Sequence, residues 1–408
     1  MRIHAYQALR PRADAVGQIA APPYDTVDTA EAAQLAAGNP MSFLHINHSE
    51  IDLPDGTNLY ADAVYAKAAE NIANFKKNGW LVREDLPLMY LYAQTLGAHT
   101  QTGLVCCAHI DDYIKDVIKK HELTRKDKED DRTKHTATIN ANVGPVFIAY
   151  RDVDAIRQVL APIPKQSAPI YDFVDELQVR HQVWLVENAA EVEKLFAEQV
   201  PVSYIADGHH RSASAVRVGA ERRAANPNHT GNEEYNWFLS VIFPASELKI
   251  LPYNRAVKDL NGLSAEEFLK EIRAIFTVTE NADPSPKSPR NISMYLGKKW
   301  YGLSWPEVKS SNPVDLLDVS TLQNGVLHPL LGIDDPRTNN RIKFIGGIRG
   351  PQELVRLVDQ KGYAVAFSMY PTTVDQLMAI ADAGQIMPPK STWFEPKLRT
   401  GLLSHELD

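Results

Sequence analysis

Residues 200–225 read VPVSYIADGHHRSASAVRVGAERRAA. Val202, Tyr204 and Ala206 alternate with Ser203 and Ile205 in a short, partly β-branched run, which predicts a strand. Asp207-Gly208 breaks it, as Asp-Gly is a strong turn signal. From Arg211 onward helix formers with small apolar side chains at Ala213, Val216 and Ala220 predict a helix. Strand, tight turn, helix: this order aims the first helical N–H groups at whatever sits over the turn. Those groups are unsatisfied and carry a partial positive charge, so they suit an anion. A phosphate is therefore expected over the turn from Gly208 to Ser212. His209 and His210 add donors, and the planar fork of Arg211 matches a phosphate. Asp207 can accept from a substrate hydroxyl or hold a hydrated metal. The bland alternative makes Asp207 an N-cap, Gly208 a turn former and the histidines solvated polar groups. Five consecutive residues, each able to act on a phosphate, favour the site.

Composition narrows the function classes. At 408 residues the chain is too long for one ordinary core, so two or three lobes are expected. It is 44% hydrophobic and 23% charged, as a globular protein is. A net charge of −8 argues against a general nucleic-acid surface. No apolar run approaches the roughly 20 residues that span a bilayer. The start, MRIHAYQALRPR, lacks an apolar signal core, which gives a cytoplasmic expectation. Cys106 and Cys107 are adjacent on a strand-like run, where alternate faces separate their side chains. One core and one surface residue, with no disulfide or metal, is the expectation.

Along the chain, Ala21-Pro22-Pro23-Tyr24-Asp25 is stiffened by its prolines. Tyr24 and Asp25 read equally as a rigid turn or as site residues. Asp28 or Thr29 caps a helix over 30–37. Residues 43–46, FLHI, read as a short strand. An amphipathic helix covers 59–79, a hairpin covers 88–95 and 103–110, and 170–176 pairs with 180–186. The mixed-charge run 118–132 reads as a solvated helix face. The alternative is a loop-borne His121-Glu122 pair beside Thr124, with Lys126 and Arg132 close by for phosphates. On a helix His121 and Glu122 would point apart, so no zinc site is read there. Ser264 and Glu267 make a capping box. Helices are expected at 319–331, 351–360 and 373–383. Lys390, Ser391, Thr392 and Lys397, on a proline-stiffened tail, can donate to an anion. These elements predict a mixed α/β (α+β) protein. Its parts are a core over 1–250 with additional N-terminal strands, a small inserted α+β lobe over 251–312, and a helical C-terminal region over 313–408. The last is expected to dock back on the core.

Asp207-Gly208-His209-His210-Arg211 resembles the phosphate-binding signature of the ParB/sulfiredoxin-like superfamily. Its free serine kinases carry Asp-Gly-His-Thr-Arg, which differs only at His210. Sulfiredoxins place a Cys in the slot of His209, so sulfiredoxin chemistry is disfavoured. With Ala21-Pro22-Pro23-Tyr24-Asp25, 120–124 (KHELT) and 387–392 (MPPKST), the chain resembles the domain-of-unknown-function family numbered 1015 over nearly its full length. The resemblance implies a ParB/sulfiredoxin-like core and tips Tyr24 and Asp25 toward the site. It also tips 118–132 toward a loop, with Glu122 facing the transferred group.

The function expected is a small-molecule phosphotransferase, because phosphoryl transfer needs mainly positioning and charge neutralisation. Gly208, His209, His210, Arg211, Ser212, Lys390, Ser391, Thr392 and Lys397 would hold the phosphates of ATP, ADP or pyrophosphate. His209 and His210 would also serve catalysis. Glu122, then Asp25, then Asp207 would orient the acceptor hydroxyl, and Asp207 and Glu122 would carry Mg2+. Tyr24, His121, Thr124 and Arg132 would contact a hydroxy amino acid, free L-serine first; phosphoserine-directed reactions use the same groups. The rival is a nucleotide-binding regulator without turnover. Neither nucleic acid nor membrane is an expected partner, and the oligomeric state stays open.

Overall fold

A computed structural model describes residues 1–408. The chain forms two compact units: Met1–Leu248 with Pro396–Asp408, and Lys249–Glu395.

The first unit is built on a nine-stranded mixed sheet. From one edge its strands are Ile118–Lys119, Ser203–Asp207, Val146–Tyr150, Trp237–Pro244, His99–His109, Met89–Leu96, Arg180–Val186 and Tyr171–Val174, with Ile3–His4 beside His99–His109. The expected hairpin is present, Met89–Leu96 with His99–His109, as is the antiparallel pair Tyr171–Val174 with Arg180–Val186. Two pairings are parallel: Ser203 opposite Ile118, and Ser240 opposite Val146. The central strands bury both faces, so Cys106 and Cys107 are each 0% exposed and neither is the surface residue expected. Both are free, and burial pushes both thiols well up.

The helix His209–Ala225 packs on the helix Lys126–Ile139, through Ser214 to the Glu129 carbonyl (3.3 Å) and Arg217 to Asp130 (2.6 Å). Gly219 permits a close approach on the same helix: a Cβ there would lie 2.3 Å from the Tyr235 carbonyl oxygen. The expected helix near 30–37 is Thr29–Ala36, and Asp28 and Glu31 form its capping box. The strand expected at 43–46 is instead a short helix, Leu44–Asn47. Four residues, three of them apolar, carry no period, and here Phe43, Leu44 and Ile46 are all buried in a helix-rich cluster with Ala68, Ile72 and Phe75.

The second unit carries a six-stranded antiparallel sheet in the order Thr277–Glu280, Lys299–Ser304, Asn291–Leu296, Val365–Met369, Tyr253–Val257, Ile342–Gly346. Strands from both sides of residue 312 share it, because Tyr253–Val257 pairs with Ile342–Gly346 and Val365–Met369. The Ser264 capping box forms on the helix Ala265–Ile275. The helix expected over 319–331 is shorter, Asp318–Leu322, and runs on as one π-turn, Gln323–Leu327. Gly350–Lys361 and Val374–Asp382 are helices, the latter capped by Thr373. No helix of the protein is long and apolar enough to cross a membrane.

Candidate functional site

The strand Ser203–Asp207 hands over to the helix His209–Ala225 at Gly208, which has φ 92° and ψ 33°. A side chain is strained in that conformation, so glycine is required. Gly208 itself is the N-cap, and no side chain caps this helix. Asp207 is therefore not the cap of the bland alternative. Its carboxylate accepts from Arg211 Nη2 at 3.1 Å, one turn on, and from Lys397 Nζ at 3.4 Å.

The sheet explains why distant segments gather here. Ser203–Asp207 runs parallel to Ile118–Lys119, so the chain leaves both strands at the same end and His121-Glu122 arrives beside the Asp207 turn. The pair sits on a loop: the helix expected across the charged run starts only at Lys126. Val146–Tyr150 is antiparallel to Ser203–Asp207 and begins at that same end, with Phe147 opposite Asp207. The Pro145 carbonyl just before it accepts from Arg211 Nη1. Ala21 bridges to Thr400, which fixes the Pro22-Pro23-Tyr24-Asp25 segment near Lys397.

The charges interlock. Arg211 is buried, 3.8 Å from Asp25 Oδ2 as well as bonded to Asp207. Burial opposes its charge, but Asp25 and Asp207 outweigh it and raise its pKa. Burial likewise opposes the charge of Asp207, yet Lys397, Arg211 and His209 hold it well below the ordinary carboxylate range. His209 Nδ1 stands 3.8 Å from Glu122 Oε2, and the rings of His121 and His209 meet edge to face at 4.5 Å. Burial pushes His121 down to about 4 and His209 well down, helped there by His121, so both are neutral at pH 7. His210 Nε2 accepts from the Arg125 backbone N–H at 3.0 Å, and burial lowers its pKa too. Arg132 lies over the Tyr24 ring at 4.4 Å and pairs with Asp131 at 2.9 Å.

Tyr24, Asp25, His121, Glu122, Asp207, Gly208, His209, His210, Arg211, Arg132 and Lys397 thus surround one turn. Some predicted donors have other engagements. The Ser212 hydroxyl donates to the His209 carbonyl (3.0 Å), because Ser212 is fully buried, and the Thr124 hydroxyl donates to Glu129 (2.7 Å). Lys390, Ser391 and Thr392 belong to the second unit. There the Lys390 carbonyl accepts from Arg255 (3.0 Å) and the Ser391 hydroxyl donates to the Pro388 carbonyl (2.6 Å). Pro145 and Asp131 were not legible as site residues: a backbone acceptor has no side-chain signal, and Asp131 sits in a run of mixed charge.

The turn in this mixed α/β unit thus joins an uncapped helix start, a buried arginine, a lysine and three neutral imidazoles, opposed by three carboxylates. The chain belongs to the family described as protein of unknown function (DUF1015), whose model matches residues 3–320. Solved structures similar to it include a free serine kinase in complex with AMP, at 13% identity, covering 71% of this chain and 86% of that one, with a TM-score of 0.36. SbnI with a C-terminal truncation, from Staphylococcus aureus, is similar at 12% identity, over 72% of this chain and 85% of that one, with a TM-score of 0.38. A conserved hypothetical protein from Pyrococcus furiosus is similar at 14% identity, over 72% and 92%, with a TM-score of 0.35. No curated protein matches the chain.

Proposed function

We propose that the protein binds a nucleotide through its phosphates at the Gly208 turn and transfers a phosphoryl group to a small hydroxylated substrate, free L-serine first. The observation that carries this reading is the start of the helix His209–Ala225, left without a side-chain cap by a left-handed glycine. A helix start of 17 residues' dipole favours an anion, and Arg211 and Lys397 stand beside it. The motif Asp207-Gly208-His209-His210-Arg211, one residue from that of the free serine kinases, supplies the reaction class.

The cations of the site are already paired with Asp207 and Asp25. A phosphate arriving alone would have to compete with those carboxylates. Mg2+ takes oxygen ligands, would be held by Asp207 and Glu122, and would neutralise charge on the phosphoryl oxygens. With Asp207 so engaged, Arg211 and Lys397 would be available to pair with the phosphate. His209 and His210, neutral and buried or half-buried, can contact phosphate oxygens or pass a proton. Glu122, 44% exposed at its side chain and on a loop, can turn toward an acceptor hydroxyl, ahead of Asp25 and then Asp207. Tyr24, His121, Thr124 and Arg132 would frame the acceptor. ATP, ADP and pyrophosphate all fit as donors.

The test is phosphoserine formation from L-serine with each donor, beside calorimetry with AMP and ADP. Arg211→Ala should lose nucleotide affinity, and Glu122→Gln should keep it and lose turnover. Nucleotide binding with no phosphorylation of any hydroxy amino acid would leave the regulator as the better reading. Absence of nucleotide binding would remove both.

A further inference from the structure

Two buried imidazoles meet a carboxylate beside the Asp207 turn. One ligand atom from each of His121, Glu122 and His209 lies within 4.8 Å of the other two. His121 is 2% exposed and His209 5%. By hydrogen-bond geometry both ring nitrogens of His121, and Nε2 of His209, are buried without a partner, although the backbone of Ile205 lies near enough to His121 to favour its charged form. A buried polar atom left unpartnered keeps its full desolvation penalty, so such atoms are rare in native proteins and ask for an occupant. One nitrogen from each of these two touching rings is open to an occupant that binds imidazole.

We infer that His121, His209 and Glu122 form a site for a first-row transition-metal dication, Zn2+ first, with a fourth position open to an oxygen of a bound phosphate or hydroxyl. Two imidazoles and one carboxylate are a recurrent Zn2+ donor set with an open position. Mg2+ prefers oxygen alone, whereas imidazole suits Zn2+ and its neighbours. Metal–ligand bonds of about 2.0–2.2 Å set ligand atoms roughly 3.3 Å apart in a tetrahedron. The three atoms must therefore draw in by about 1.5 Å at most. Glu122 is the member that can move: it follows a strand on a loop, with its side chain 44% exposed. The two histidines are held, one at the head of a 17-residue helix and one buried beneath it. On a helix, adjacent His and Glu point apart; here the loop conformation and the incoming His209 make the set. A monodentate carboxylate uses one oxygen, and the other can still face a hydroxyl.

This inference puts a transition-metal ion in place of Mg2+ at Glu122, in the same site as the phosphotransferase reading, but it rests on the imidazoles and is read without nucleotide or turnover. The full chain, stripped with chelator, is titrated with ZnCl2 by calorimetry and with Co2+ by visible absorption. One equivalent of Zn2+ should bind, and Co2+ should show the ligand-field bands of a four- or five-coordinate nitrogen and oxygen site. Glu122→Gln, at an exposed side chain, should weaken Zn2+ at least tenfold and shift the Co2+ bands. His209→Ala should abolish both signals. His229→Ala, at an imidazole paired with Glu233 elsewhere (2.8 Å), should keep one equivalent. Circular dichroism identifies any variant that fails to fold, and Glu122→Gln then decides alone. Absence of stoichiometric Zn2+ binding to the wild type, or unchanged binding by Glu122→Gln, would overturn the inference.

Discussion

Replacing Gly208 by alanine separates two costs that the turn combines. The backbone at φ 92° is unfavourable for any L side chain, by roughly 1–2 kcal/mol. The new Cβ would also stand 3.1 Å from Cζ and Nε of Arg211 and 3.3 Å from its Nη2. That guanidinium cannot give way freely, because the Pro145 carbonyl and Asp207 hold it from two sides. Crowding a pinned group adds about 1 kcal/mol or more. Gly38 supplies the control within the same unit: its φ is +74°, and a Cβ there meets nothing within 4 Å. Gly38→Ala should therefore show the backbone cost alone, and Gly208→Ala should exceed it by about 1 kcal/mol. Two compact units make a single melting curve ambiguous. Native-state hydrogen exchange of the amides in the nine-stranded sheet reads the relevant unit directly. An added 1 kcal/mol appears there as roughly fivefold faster exchange for Gly208→Ala than for Gly38→Ala. AMP affinity should fall only for Gly208→Ala. If the two variants exchange alike, the guanidinium is not pinned, and the account of Arg211 as a fixed part of the turn fails.

Two further outcomes follow from the same unit. Gly219→Ala would drive a Cβ against the Tyr235 carbonyl at 2.3 Å and Ile110 at 2.9 Å, so it should destabilise by about 1–3 kcal/mol, seen as a lower midpoint of the unit's denaturant unfolding; a midpoint equal to wild type would mean the helix shifts without cost. Asp175 is 5% exposed at its side chain and bonded to Arg399 (2.6 Å) and His181 (2.9 Å). Burial works against its charge, but His181 and Arg399 prevail and lower its pKa to about 2. Its folded pKa lies below the unfolded value, so its contribution, roughly 2–3 kcal/mol, is present above pH 4 and lost as pH falls toward 2. Asp175→Asn should flatten that acid limb of stability, and an unchanged limb would contradict the pairing.

What was legible in the fold was local. The Asp28–Glu31 and Ser264–Glu267 capping boxes each span three residues, and both form as read. The hairpin Met89–Leu96 with His99–His109 needs only a tight connection between two β-rich runs. What failed was decided by packing. FLHI at 43–46 has strand composition, yet Phe43 and Ile46 are fully buried among helices. The π-turn at Gln323–Leu327 departs from a periodicity that would have continued as α-helix. Likewise the sharing of one sheet by 253–257 and 342–369 is a long-range pairing with no mark on either strand.

The site divides along the same line. Asp207 and Arg211 are one helical turn apart around a glycine, so their pairing could be read from five consecutive letters. The contact of Lys397 with Asp207 crosses 190 positions, and that of Asp25 with Arg211 is of the same kind. Lys397 was read only as a possible anion donor on a stiff tail, and Asp25 was tipped toward the site by the family resemblance; neither reading named the partner. The decisive long-range event is small: two residues, Ile118 and Lys119, lie parallel to Ser203 and Tyr204. Parallel pairing makes both strands end on the same side, and the residues just beyond those ends are His121-Glu122 and Gly208-His209. An antiparallel pairing of the same four residues would have sent His121 to the other end of the sheet. The His121–His209 contact, and with it any role for Glu122 at the turn, therefore follows from the direction of a two-residue strand. Neither its length nor its composition could announce that direction.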